Sequence, residues 1–226
     1  DFSVLGSYTL AKSIDSSSTD NLGGSVADPF NLRQERGRSD WDRRHSFVAS
    51  WLYTPSIHFS NKLTNSLLGG WTFTAIQMVQ SGLPITFYQG QDVALDGTFG
   101  VQHAQLEAGA TVNSIEVGHP NRNAMISEFF NPSAFVPANL VPAGTYGNSG
   151  RGILSGPAFA NTDFSILKDF ALRESLKLQF RTEMFNVFNQ ANFSNPDSTV
   201  NSGTFGQILS TTTPGRQIQF ALKLLW

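Results

Sequence analysis

The chain has 226 residues, a formal net charge of −2 and a pI near 6.1, so no basic field points to nucleic acid as a partner. Only 14% of residues are charged, against roughly 25% in an average soluble domain. Cysteine is absent, which excludes disulfides and thiolate metal sites. No stretch reaches the roughly 18 apolar residues of a membrane-spanning helix, which leaves open the short alternating strands of a barrel.

Six strand-like runs follow along the chain, near 2–11, 44–54, 70–88, 161–170, 175–188 and 216–226. In the first, Phe2, Val4, Tyr8 and Leu10 share one face while Ser3, Ser7 and Thr9 point the other way, the period-2 pattern of a half-apolar strand. A loop over 12–40 is rich in Ser, Asp, Gly and Arg. The second run sets Phe47, Ala49, Trp51 and Tyr53 against Ser46, Ser50 and Thr54. The third alternates Trp71, Phe73, Ala75 and Val79 with Thr72, Thr74 and Gln80, and its pattern continues through Ile85, Phe87 and Tyr88. The stretch 89–160 holds much Gly and Pro and reads as one large loop with short elements of its own, a length that tends to be functional. The fourth and fifth strands are joined by Ala171–Glu174. In the fifth, Leu176, Leu178, Phe180 and Met184 oppose Lys177, Gln179, Arg181 and Glu183. After a loop over 189–215, Ile218, Phe220, Leu222, Leu224 and Trp226 are apolar at every second position.

Connector length alternates along this series. Connectors after the first, third and fifth strands run to roughly 30, 70 and 28 residues, and those after the second and fourth to about 14 and 4, the asymmetry of outer-membrane barrels with long extracellular loops and short periplasmic turns. The expected fold is therefore all-β, an antiparallel up-and-down transmembrane barrel segment with its C-terminus on the periplasmic side. The composition agrees: Ser, Thr, Asn, Gln and Gly replace charge, and 19 Phe raise the aromatics to 12%. The pattern of Phe220, Leu222, Leu224 and Trp226 resembles the insertion signal that barrel-assembly machinery reads by strand addition. Trp41, Trp51, Tyr53, Trp71 and Trp226 are candidates for aromatic girdles at the membrane interfaces.

Chemistry-bearing patterns are sparse. His45, His58, His103 and His119 lack metal-ligand spacing. Asp92 and Asp96 lie seven-residue-loop fashion in 91–97 without the alternating oxygen ligands or closing Glu of a calcium loop, so turn chemistry is the reading. Ser81 and Ser155 complete no nucleophile elbow, and the Gly-rich 147–152 opens no helix that would cradle phosphate. Arg181 and Glu183 share a polar face and are expected to pair in the lumen. Arg33, Arg36, Arg38, Arg43 and Arg44 form the densest cationic cluster and are candidates for contacts with lipopolysaccharide phosphates or an anionic ligand. Glu35, Asp40 and Asp42 among them favour a self-neutralising loop instead. No catalytic residue, cofactor site or metal site is expected.

Several stretches resemble the C-terminal barrel region of TonB-dependent receptors, most closely the Oar-like group whose N-termini often carry a carboxypeptidase-regulatory-like domain. They are 39–47, 68–73, 80–84, 147–151 with Gly156-Pro157, 161–165, 180–189 and 214–220, and their order along the chain carries the likeness. The resemblance implies a barrel of about 22 strands with an N-terminal plug, since a lumen of that size must be plugged. It also implies energised uptake of an extracellular ligand, with TonB engaged through the N-terminal part. Siderophores, cobalamin, sugars and peptides are ligands within the family. The sequence opens at Asp1 without a Met, a basic n-region or an apolar h-region, and the expectation is that a plug and some sixteen further strands belong upstream. Capture residues are expected within 90–160, and the chain alone is not expected to transport. Two other functions share parts of the pattern: an outer-membrane adhesin or structural barrel without transport, and a secreted soluble β-sandwich binding module.

Overall fold

The computed structural model describes residues 1–18, 26–28, 30–98 and 100–226. Its strands are β1 (Phe2–Leu10), β2 (Ile14–Asp15), β3 (Gly37–Arg38), β4 (His45–Tyr53), β5 (Trp71–Gln80), β6 (Pro84–Ile85), β7 (Leu154–Ser155), β8 (Phe159–Arg173), β9 (Leu176–Phe185) and β10 (Gln217–Leu225). Short helices α1 (Lys62–Leu68), α2 (Val112–Ile115) and α3 (Arg122–Ser127) lie in the connectors, with 3-10 turns at Pro132–Ala134 and Ala138–Leu140.

The long strands form one antiparallel sheet in the order β1-β4-β5-β8-β9-β10, so each pairs with its neighbour along the chain. The register sets Phe2 opposite Tyr53, Tyr53 opposite Phe73, Phe73 opposite Ile166, Ile166 opposite Thr182 and Thr182 opposite Phe220. Because side chains alternate strictly across a strand, that one row fixes which residues share a face over the whole sheet. The sheet is open, and β1 and β10 are its edges.

Three boundaries differ from the sequence expectation. The run expected over 70–88 ends as a strand of the large sheet at Gln80. Gly82 then passes so close to the backbone of Gly156 that a Cβ would lie 1.8 Å from its carbonyl oxygen. Ile85 and Phe87 continue the alternation but leave the sheet, Pro84–Ile85 pairing with Leu154–Ser155 in a ladder of their own. The expected four-residue turn 171–174 is shorter: β8 runs to Arg173 through a register shift between Ala171 and Arg173. The strand expected over 175–188 stops at Phe185, because Asn186 and Asn189 take φ values of 51° that Asn tolerates and a strand does not. The connector 55–68 is not plain loop either, since Asn61 accepts from the backbone of Leu63 and Thr64 and caps α1.

The buried hydrophobic core lies outside the large sheet. Phe87, Phe130, Ile115 and Ala104 are fully buried, with Ile85, Ala134, Phe135 and Leu154 packed around them. Four rings form its centre, with centroid separations of 4.8 Å for Phe87–Phe130, 4.5 Å for Phe87–Phe135, 4.9 Å for Phe130–Phe205 and 5.3 Å for Phe135–Phe205. The third long connector therefore contributes to the body built by the second. Phe129 N–H donates to Gly206 and Ile208 N–H to Ile126, both at 2.8–2.9 Å, and knit the two together. The result is a folded cap at the long-connector end of the sheet.

Phe87→Ala should destabilise the cap by about 3–5 kcal/mol, the usual cost of emptying a buried aromatic site. Limited proteolysis in detergent should then cut within 90–150 while the strand signal in circular dichroism persists. Equal loss of both would show that cap and sheet are a single cooperative unit.

Candidate functional site

One face of the sheet carries Phe2, Val4 and Tyr8 of β1, then Phe47, Trp51 and Tyr53, then Trp71, Phe73 and Val79. It continues through Phe164, Ile166 and Phe170 to Leu178, Phe180 and Met184, and ends on Ile218, Phe220, Leu222 and Leu224. Aromatic contacts cross it, from Phe2–Tyr53 at 6.1 Å through Tyr53–Phe73 and Phe73–Phe164 to Trp71–Phe180 and Phe180–Phe220 at 6.4 Å. The face lies open: Phe2 is 68% exposed, Leu222 69% and Phe220 71%. Among the described residues no second sheet packs on it, and α1 borders it only at the short-connector rim, through Trp71 Nε1 and the Leu67 carbonyl. A soluble sandwich would bury such a face under a second layer.

The opposite face is polar over much of its extent, with Ser3, Ser7, Ser46, Ser50, Thr72, Thr74, Ser165, Gln179, Gln219 and Lys223. Arg181 Nε lies 3.4 Å from Glu183, which also accepts from Gln219 of the next strand. Leu5, Val48, Leu52, Ile76, Met78, Leu167, Phe185 and Leu225 interrupt this face. Strands of nine or ten residues rise about 30 Å, enough when tilted to carry an apolar band of about 25 Å across a membrane. Tyr53 and Trp71 sit at the short-connector rim of the band and Trp226 beyond it. Trp51 lies one row further in, against Phe164 at 5.8 Å, and Trp41 is in the cap region, where its Nε1 donates to Ser18.

At the other rim most of the stretches singled out from the sequence meet. Arg151 binds the Asp15 carboxylate, donates to Ser18 Oγ at 2.6 Å and lies 3.2 Å from Asp40. Arg38 pairs with Asp42 at 2.9 Å and reaches Ser155, and Asp42 also accepts from the backbone of Ser13. Glu35 is buried, accepting from Ala27 N–H and lying 3.6 Å from His103 Nε2, while His103 Nδ1 faces the Ser149 carbonyl at 2.9 Å. These bonds clasp the first long connector to the second. Below them, Arg43 donates to the Ser81 carbonyl, and Asp163 accepts from the Asn186 N–H. Asn186 Nδ2 donates to Gln190 and Pro214, and Arg216 N–H donates to Asn189. All of the motifs but 68–73, which lies at the short-connector rim, thus contribute to one junction between cap and sheet.

Residues 1–219 match the family model of the outer membrane beta barrel domain. The chain belongs to that family. No curated protein and no solved structure matches it. The apolar face is accordingly the lipid-facing side of an outer-membrane β-barrel domain, the polar face its lumenal side, and the bacterial outer membrane the place of both.

Within this barrel domain the five arginines differ in their partners. Arg38 and Arg43 are engaged as above and Arg44 donates to the Ala11 carbonyl, while Arg33, Arg36 and Arg44 are all exposed. Phe220, Leu222 and Leu224 line the lipid side of edge strand β10, followed by Trp226. Asp92 accepts from the backbone of Asp96 and Gly97, and Asp96 from Thr98 and Tyr146, so both carboxylates close a turn. Hydrogen bonds from the Thr98 hydroxyl and backbone pull the Asp96 carboxyl down to about 2. The histidines are separate: His45 meets the Tyr8 hydroxyl, His119 faces the carbonyls of Glu128 and Phe129, and His58 is exposed in the 54–70 connector. Arg151, Asp15 and His103 were not legible as a site, because their partners stand more than a hundred residues away or in another connector.

Two tests follow from this geometry. Phe164→Arg should destabilise the protein in lipid by about 2–4 kcal/mol, and Ser165→Arg, one residue on and facing the lumen, by far less. Folding in phospholipid vesicles measures the difference, and equal effects would reject the assignment of faces. Burial raises the Asp15 carboxyl, but the bonds from Ser18 and Arg151 outweigh it and hold it below its ordinary value. A depressed carboxylate stabilises the fold above its unfolded value near pH 4 and loses that contribution as pH falls through the folded one. Protection of the Gly37–Asp42 amides, taken as exchange relative to the unstructured chain at the same pH, should therefore fall below about pH 4 and be low already at neutral pH in Arg151→Leu.

Proposed function

We propose that this barrel domain is the C-terminal part of a TonB-dependent receptor, which captures an extracellular ligand and passes it through a plugged lumen. The observation that carries the reading is an open sheet whose long connectors fold into a cored cap at one rim only. Unpaired backbone at β1 and β10 cannot face hydrocarbon, so further strands of the same protein are needed on both sides. Six strands of a barrel of about 22 leave some sixteen to close the lumen around a plug, and TonB would engage that missing part. The cap faces the cell exterior and the C-terminus the periplasm. The cap surface between 90 and 160 is the side that meets ligand, and within the cluster of Arg33, Arg36, Arg38, Arg43 and Arg44 the exposed Arg33, Arg36 and Arg44 are the ones open to lipopolysaccharide phosphates or an anionic ligand. The β10 edge, with Phe220, Leu222, Leu224 and Trp226, is the segment offered to the barrel-assembly machinery. Taken alone the segment does not transport, and the role needs no catalytic residue or cofactor.

The reading frame upstream of Asp1 should encode a plug domain and roughly sixteen more alternating strands. A frame that opens near Asp1 with its own signal peptide would overturn the transporter. Orientation is checked separately, using the lack of cysteine in this chain. A membrane-impermeant maleimide should label Thr145→Cys in intact cells and leave Ser56→Cys unlabelled.

A further inference from the structure

At the short-connector rim the lipid-facing side carries one cation out of keeping with its row. Lys168 stands between Trp71 and Phe180 in the register and is only 3% exposed. Among the described residues no carboxylate pairs with it. Its Nζ donates to the Gly69 carbonyl and lies 5.4 Å from the Trp71 ring and 5.2 Å from that of Phe170. One carbonyl uses one of the three protons of an ammonium group and neutralises none of its charge. A buried, unpaired charge is costly, and in membrane proteins it marks a partner still to be supplied.

The surroundings indicate what that partner is. Lys168 lines a cleft of about 450 Å³ between the 54–70 connector and the end of β8, where β8 outruns β5. Helix α1 borders it, held to the lipid-facing side by the bond from Trp71 Nε1 to the Leu67 carbonyl at 3.1 Å. Leu63, Leu67 and Leu68 of α1 point outward, 75%, 60% and 57% exposed, and continue the apolar face beyond the sheet. Asp169 also lines the cleft, but its carboxylate accepts from Gln179 Nε2 at 2.9 Å on the other face of the sheet. A buried ammonium without a carboxylate partner at the level of an aromatic rim, bordered by exposed leucines, matches an anionic headgroup joined to acyl chains.

We propose that this rim holds a phospholipid, with the Lys168 ammonium on its phosphate and the acyl chains along Leu63, Leu67 and the apolar face. The occupant is a glycerophospholipid because the orientation proposed above sets this rim in the inner leaflet, and the inference rests on that reading. It does not depend on transport.

The test uses the whole protein purified from outer membranes, stripped of lipid in detergent and titrated with phosphatidylglycerol, with bound lipid counted by native mass spectrometry. Wild type should retain one phospholipid, Lys168→Arg should keep it, and Lys168→Met should bind about tenfold more weakly or worse, as expected for loss of a charge-assisted hydrogen bond. Ser66→Glu, which adds a carboxylate to the cleft without touching a strand, should weaken binding likewise and serves if Lys168→Met fails to fold. Equal retention by wild type and both weakening variants overturns the site. Displacement of the lipid by excess inorganic phosphate overturns the lipid as occupant in favour of a free anion. Labelling of Ser56→Cys from outside the cell overturns the choice of phospholipid over lipopolysaccharide, while leaving Lys168-dependent phosphate binding as a separate result.

Discussion

The constraint from which the rest of this structure follows is that hydrocarbon offers a backbone no hydrogen-bond partner. Each strand must be matched bond for bond by a neighbour. The chain meets this in the least demanding way, by pairing every strand with the next in sequence. Sequential pairing in turn throws alternate connectors to opposite ends. The short ones need only turn the chain, and the long ones are free to build something of their own. The strict alternation of side chains then separates a face of Phe, Trp and Leu from a face of Ser, Thr and Gln without any second layer.

The same constraint moves the hydrophobic core. In a soluble sandwich the apolar faces meet one another; here they meet lipid, and the close packing that fixes a unique fold is found in the cap instead. Phenylalanine serves both ends. Phe2, Phe73, Phe164, Phe180 and Phe220 touch edge to face or stacked along the lipid side, while Phe87, Phe130, Phe135 and Phe205 interlock in the cap. Between them the junction is almost wholly polar. Its bonds run from the first connector to the second and from the turn after β9 to the start of β10.

What could be read from the sequence divides along the same line. Period-2 alternation was legible because the membrane enforces it over every crossing residue, and strand order followed from connector length. Strand ends were less legible. Ile85 and Phe87 keep the alternation of β5, yet a close backbone approach at Gly82 diverts them into the cap, and nothing in the local pattern marks that point. The asparagines that end β9 could be named only as part of a resemblance. Their left-handed backbone is the physical reason for them. The clasp was hidden for another reason: Arg151 lies far along the chain from Asp15 and Asp40, and period and spacing carry no information about such pairs. Lys168 was hidden because its row is defined only by the register of its neighbours.

The close approach of Gly82 and Gly156 has a consequence for descent. The chain leaves β5 and re-enters β8 through one narrow point, where the two backbones touch and where Gln80 stands opposite Phe159. Everything between those glycines is an insertion whose two ends already coincide, so its length can change at little entropic cost to the strands on either side. Such a segment can change in length while the membrane-crossing register stays as it is, provided that its contacts to Phe205, Gly206, Asp15 and Glu35 in the other connectors are kept. A lineage built on this plan can acquire new surface chemistry without relearning how to enter a bilayer.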